Sequence, residues 1–141
     1  MDFDELTDTV KEEDVTLELD EGRVTLVSAD DGGILAMVRL GELPEGALTA
    51  LCRDMMAANH LFQETDGATL SLEPGTRQAF LQRLCRVQGE GEDAFLNRLA
   101  VLVQKAEEWR ARLFGGDGEN RGAEAPDSDG LFSRDMILFR V

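Results

Sequence analysis

Apolar positions in this chain recur with a period that changes several times, and each change marks a new element. Phe3, Leu6 and Val10 fall at helical spacing among Asp and Glu within residues 1 to 14, predicting a short helix with one apolar edge that must dock on something. Val15, Leu17 and Leu19 then alternate with Thr16 and Glu18, Asp20-Glu21-Gly22 turns the chain, and Val24 and Leu26 alternate with Arg23 and Thr25. After a second turn at Asp30 to Gly33, the strand Ile34 to Leu40 is apolar on both faces. Ile34, Ala36, Val38 and Leu40 point one way, and Leu35 and Met37 point the other. A three-strand meander follows, whose last strand needs cover on both sides.

The stretch Glu45 to Phe62 predicts a helix, with Pro44 near its start, where a missing amide donor costs nothing. At 100° per residue Leu48, Leu51, Cys52, Met55, Asn59 and Phe62 share one face, while Ala47, Ala50, Ala57 and Leu61 line the opposite side. Only Arg53 and Asp54 carry charge in its interior. A surface helix should have one solvated face, so this one is expected to lie between its own sheet and a second copy of the chain. Four or five apolar side chains leaving water contribute on the order of 5–10 kcal/mol per helix. Association costs roughly 4–15 kcal/mol, so two copies of such a seam can hold a dimer. The competing arrangement, a central helix inside one monomeric core, needs more layers than so short a chain readily supplies.

Thr65-Asp66-Gly67 closes this helix, and strands follow at Ala68 to Leu72 and Gln78 to Val87, joined by Glu73-Pro74-Gly75. The second strand also admits a helical turn through Phe80, Leu81 and Leu84, although its alternation favours a strand, with Phe80 and Leu84 opposite Leu81, Cys85 and Val87. Asp93 to Phe114 is the strongest helix. Phe95, Leu99, Leu102, Ala106, Trp109 and Leu113 step by fours and threes, Leu96 and Val103 widen the stripe, Asp93 is the expected cap and Gly115 the stop. Residues 115–130 have no apolar pattern and read as a flexible acidic Gly-rich linker, whereas residues 131–141 end in Met136-Ile137-Leu138-Phe139-Arg140-Val141 and should dock, on the chain's own sheet edge or on a partner copy. The division is one α+β domain over 1–114, the linker, and the docking terminus.

Charge narrows the function. With 29 acidic against 14 basic residues and a formal net charge of -15, the chain lacks the clustered cations that phosphate backbones and anionic membranes require. No nucleic-acid or membrane partner is expected. No apolar run approaches the ~20 residues of a membrane span, and the acidic start is the reverse of a signal peptide, so a cytoplasmic setting is expected. Cys52 and Cys85 read as buried small hydrophobes, and the lone His60 as a partly buried, hydrogen-bonded side chain. Phe62 to Glu73 grazes a calcium-loop pattern through Glu64, Asp66, Gly67 and Glu73, but its first ligand position is Phe62, which cannot ligate. No catalytic residues, metal or cofactor are expected, and the chain reads as no enzyme.

The order helix, three strands, helix, two strands, long helix in a small acidic chain resembles the class I chaperones of bacterial type III secretion, the family of the Tir chaperone. The resemblance rests on the run Leu51 to Asn59 followed by Gly67-Ala68-Thr69-Leu70-Ser71-Leu72, and on Phe95, Leu99, Val103, Ala106, Trp109 and Leu113 in the last helix, and it spans residues 15 to 114. The first helix is shorter than is usual in the family, and the glycine-rich linker is long. An ending Phe139-Arg140-Val141 looks like the apolar-Arg-Val termini of some members.

This resemblance implies a homodimer packed through the second helix, with Ala47, Ala50, Asp54, Ala57 and Leu61 at the interface. It implies a bacterial virulence function, in which the N-terminal segment of a secreted effector is held in extended form. The expected contacts are Val27, Leu35 and Met37, joined by Phe3, Leu6 and Val10 of the first helix. A secretion-apparatus ATPase or a regulatory protein is a further partner of this reading. Asn59 is expected to satisfy backbone groups at the helix end rather than touch a ligand. Against the chaperone stand an acidic inhibitor or immunity-type protein that binds a folded basic partner, and a small enzyme of unfamiliar type.

Overall fold

The computed structural model describes residues 3–19, 22–29, 32–86 and 91–115, together with the backbone of 137–140. The elements in chain order are α1 (Phe3–Glu12), β1 (Val15–Leu19), β2 (Gly22–Ser28), β3 (Ile34–Glu42), α2 (Leu48–Asn59), β4 (Thr69–Leu72), β5 (Gln78–Cys85), α3 (Glu92–Phe114) and β6 (Ile137–Arg140). They form one sheet in the order β4-β5-β3-β2-β1-β6, antiparallel throughout except for the parallel pair β1 and β6. The architecture is α+β, with the expected succession of helices and strands. Most of the linker reading, residues 116–130, lies outside the described residues.

Alternation decides which sheet face is inside. Val15, Leu17, Val24, Leu26, Ile34, Ala36, Val38, Leu40, Ala79 and Leu81 are all buried and form one core with α1 and α3. Every residue of the expected α3 stripe, Phe95, Leu99, Leu102, Ala106, Trp109 and Leu113, is buried in it, along with Val103. Gly115 ends α3 in the left-handed conformation at φ 80°. The cap differs from expectation. Gly91 takes that position without a side-chain bond, and Asp93 sits with Glu92 in the first turn, where their charge faces the positive end of the helix dipole.

α3 is fastened across β3 at an irregularity. The β3–β5 register shifts between Arg39 and Gly41, which takes backbone carbonyls out of the ladder. The Arg110 guanidinium donates to Leu40 O at 3.3 Å and also to Arg39 O, while its remaining edge pairs with Glu107 at 2.7 Å. Gly41 is required there, since its φ is 140° and a Cβ would lie 3.0 Å from the Phe114 ring.

α2 is shorter than the predicted Glu45 to Phe62 span. Glu45–Ala47 and His60–Phe62 form single 3-10 turns at its ends. Helical geometry is lost at Leu61 (φ 63°) and Phe62 (φ 56°), two consecutive apolar residues in the left-handed region. The helix lies along the β4 edge of the sheet, where Asn59 bonds both backbone groups of Leu70.

Candidate functional site

Among the described residues two apolar surfaces remain open. The first is the outer side of α2. Met55 and Ala58 are buried, and Leu48, Leu51, Cys52 and Asn59 are half-buried, so this side faces the β4 edge. The opposite side presents Thr49, Ala50, Arg53, Met56, Ala57 and His60, all exposed. Leu48, Thr49, Cys52, Arg53, Met56, Ala57 and His60 line an open groove along it. Met56 is 73% exposed, and the two left-handed residues just beyond the helix project apolar side chains into water, Leu61 at 69% and Phe62 at 49%. Of the expected interface residues, Ala50, Asp54, Ala57 and Leu61 are exposed and Ala47 is half-buried. Within one chain the helix is therefore covered on one side only.

The second surface is the sheet face turned away from α1 and α3. Strand register places Val27 opposite Leu35, and Leu35 opposite Leu84, so three apolar side chains form a row across β2, β3 and β5. The adjacent row runs Thr25, Met37, Gln82, and Thr16 extends it to β1. Val27, Leu35 and Met37 are half-buried, and Leu84 is 43% exposed. The three strand residues expected to meet an effector thus lie in one contiguous patch. Leu84 belongs to the same patch but was not among the expected contacts. Its place on the Leu35 side of the sheet was already implied by alternation along β5, and only the register puts it directly beside Leu35.

The first-helix residues sit elsewhere. Leu6 and Val10 are 7% and 2% exposed, packed into the core on the opposite sheet face, and Phe3 is half-buried with its ring 5.5 Å from that of Phe95. Their apolar edge docks on the chain's own core, on the sheet face opposite Val27, Leu35 and Met37. The helical spacing showed that this edge had to be covered but not by what.

Among the described residues no group of three or more His, Cys, Asp or Glu side chains could hold a metal ion. His60 is exposed rather than partly buried, because it falls on the outer side of α2. Cys85 is buried as expected, but Cys52 is only half-buried at the groove. Among the described residues no helix is long and apolar enough to cross a membrane.

Comparison with known proteins agrees with this geometry. No curated protein sequence matches the chain. Among solved structures it is similar to a chain of the heterodimeric ExoU–SpcU complex from the type III secretion system of Pseudomonas aeruginosa, at 22% identity and a TM-score of 0.56 over 74% of this chain and 82% of that one. It is similar also to a chain of the ExsC–ExsE complex, at 19% identity and a TM-score of 0.60 over 80% of this chain and 97% of that one. At these identities the likeness speaks to the fold. The Tir chaperone protein (CesT) family model matches residues 2–110, from α1 to near the end of α3, and the chain therefore belongs to the Tir chaperone protein (CesT) family.

Proposed function

We propose that this protein is a non-catalytic cytoplasmic homodimer that binds the N-terminal segment of a type III secretion effector in extended form and keeps it soluble until export. The observation that carries the reading is the pair of separate apolar surfaces on one strongly acidic domain. Exposed apolar patches on a soluble protein mark interaction sites, and this chain has one on a helix and one on a sheet. The helical patch suits a second copy. Met56, Leu61 and Phe62 at roughly 1.5–3 kcal/mol each supply a driving force of the order association needs when doubled by two-fold symmetry.

The sheet patch suits the client. The row of Val27, Leu35 and Leu84 beside Met37 offers apolar contacts for alternate side chains of an extended segment. The acidic remainder of the surface keeps the loaded complex soluble. Both solved neighbours are complexes of two different proteins, which supports a protein partner.

The test is to purify the tagged chain from its native host, identify what co-purifies and measure the complex mass by light scattering. Two copies of the chain holding one larger protein through its N-terminal region, in a complex that survives high salt, is the expected result. A monomer, or a one-to-one complex with a folded basic protein that dissociates in salt, would overturn the chaperone reading in favour of an acidic inhibitor.

A further inference from the structure

Left-handed backbone is disfavoured for any residue with a Cβ, and it persists only where surrounding contacts determine it. Among the described residues the non-glycine positions with such backbone are Leu61 (φ 63°), Phe62 (φ 56°) and Asp66 (φ 56°), all in the turn between α2 and β4. Leu and Phe do not favour this conformation by themselves, and here both also expose apolar side chains to water. The shape of the turn has to be imposed from outside it.

The groups that impose it come from α3 and β5. Trp109 and Arg112 stand three residues apart on α3, where their side chains are neighbours. The Trp109 Nε1–H donates to the Glu64 carbonyl at 3.2 Å. The Arg112 guanidinium lies over the Trp109 ring, 3.9 Å from its centroid, and donates to Glu64 Oε1 at 3.1 Å. Glu64 is thereby gripped by its backbone and its side chain at once. From β5, Arg83 donates to the Asp66 carbonyl at 3.1 Å. Within the turn the buried Thr65 hydroxyl donates to the Ala68 carbonyl at 2.6 Å, and the Gly67 N–H to the Phe62 carbonyl at 3.0 Å.

These contacts are not equal. Trp109 is 1% exposed, so its ring is held by the core and its N–H is a rigid anchor. The side chains of Arg112 and Glu64 are 54% and 57% exposed, and an ion pair so placed contributes little by itself. Its effect is directional, because Arg112 stacked on a fixed ring can meet Glu64 in few other places.

We propose that Trp109 and Arg112 are positioning residues of the self-association seam, which grip Glu64 and so hold Leu61 and Phe62 in one projecting geometry before a second copy arrives. The proposal rests on the reading of the outer side of α2 as that seam. Side chains on a loose turn lose conformational freedom when an interface immobilises them, whereas those on a turn already ordered lose less. The grip therefore acts on association although neither residue of α3 lies on the outer side of α2.

The experiment uses the full chain. Trp109→Phe keeps a buried ring and removes the donor, and Arg112→Gln removes the stacked cation at an exposed position where the fold does not depend on it. Sedimentation equilibrium gives the dimer dissociation constant, and amide exchange is followed at Gly67 and Ala68 in the turn and across β1 to β3. Each substitution is expected to raise the dissociation constant about tenfold, roughly what one hydrogen bond is worth, and to speed exchange in the turn while leaving β1 to β3 unchanged. Leu99→Ala, further back along α3, is the control for general loss of stability, and it should leave the dissociation constant of the folded chain where it was. Turn exchange that stays native in both variants, a dissociation constant that neither variant moves, or one that Leu99→Ala moves equally would each overturn the positioning role while the dimer stands. A native chain that sediments as single copies would overturn the seam and this role together.

Discussion

Asn59 at the end of α2 replaces a missing strand for Leu70 in β4. Its Oδ1 accepts from the Leu70 N–H at 2.8 Å, and its Nδ2 donates to the Leu70 carbonyl at 3.0 Å, so one side-chain amide mimics the two bonds a neighbouring strand would make. Asn59→Ala is expected to cost about 1–3 kcal/mol, since it leaves a part-buried donor and acceptor without partners. Urea denaturation measures the loss, and faster amide exchange confined to β4 locates it. Asn59→Asp keeps the acceptor but sets a carboxylate oxygen against the Leu70 carbonyl, so it should recover little of the lost stability.

This contact shows how much of the fold and site the sequence made legible. A polar residue on the apolar side of an otherwise apolar helix had to satisfy buried groups, and that followed from the Leu51 to Asn59 pattern alone. Its partner, Leu70, did not, because strand position at the edge is a tertiary fact. β2, β3 and the α3 stripe were legible because buried positions recur there with a clean period, whereas β5 buries Ala79, Phe80 and Leu81 in succession and so also admitted a helical turn. The end of α2 was not, because Leu61 and Phe62 are apolar and continue the helical pattern while their backbone is left-handed. The patch at Val27, Leu35 and Met37 was visible as surplus apolar strand positions. Leu84 needed the β3–β5 register. Phe3, Leu6 and Val10 were visible as an apolar edge but not as core, since nothing in their spacing says which surface covers them.

The outer side of α2 gives a second prediction. Ala57→Arg or Ala50→Arg places a charged, bulky side chain on an exposed position of the small-residue stripe, so the fold of one chain is untouched. Light scattering should show the mass fall from two copies to one, with an unchanged circular dichroism spectrum. An unchanged mass of two copies would place the seam elsewhere, and a native chain of one copy would remove it.

Client binding and stability should separate cleanly between the two sheet faces. Leu84→Asp changes a side chain 43% exposed on the outer face, so stability should move by no more than about 0.5 kcal/mol while affinity for the co-purifying protein is lost. Leu99→Ala, at a fully buried position under the inner face, should cost about 2.7–5 kcal/mol and leave the affinity of the folded fraction intact. Calorimetric binding beside thermal denaturation of the same two variants decides it. A Leu84→Asp protein that binds as before would exclude this row from the client surface.

Leu61 allows a test in which the usual order of two substitutions is reversed. In ordinary helical conformation Ala is more stable than Gly by about 1 kcal/mol. Leu61 has φ 63° and ψ 2°, a conformation that costs a residue with a Cβ roughly 1–2 kcal/mol and costs glycine nothing. Leu61→Gly and Leu61→Ala remove the same exposed apolar side chain, and only the first relieves the backbone. The glycine variant should therefore unfold at the higher urea concentration, while both weaken self-association to a similar extent. Their common loss of dimer would show that the strained turn serves to hold the Leu61 side chain out at the seam, strain being retained where a contact depends on it. An alanine variant more stable than the glycine one would mean that α2 continues through Leu61 in solution.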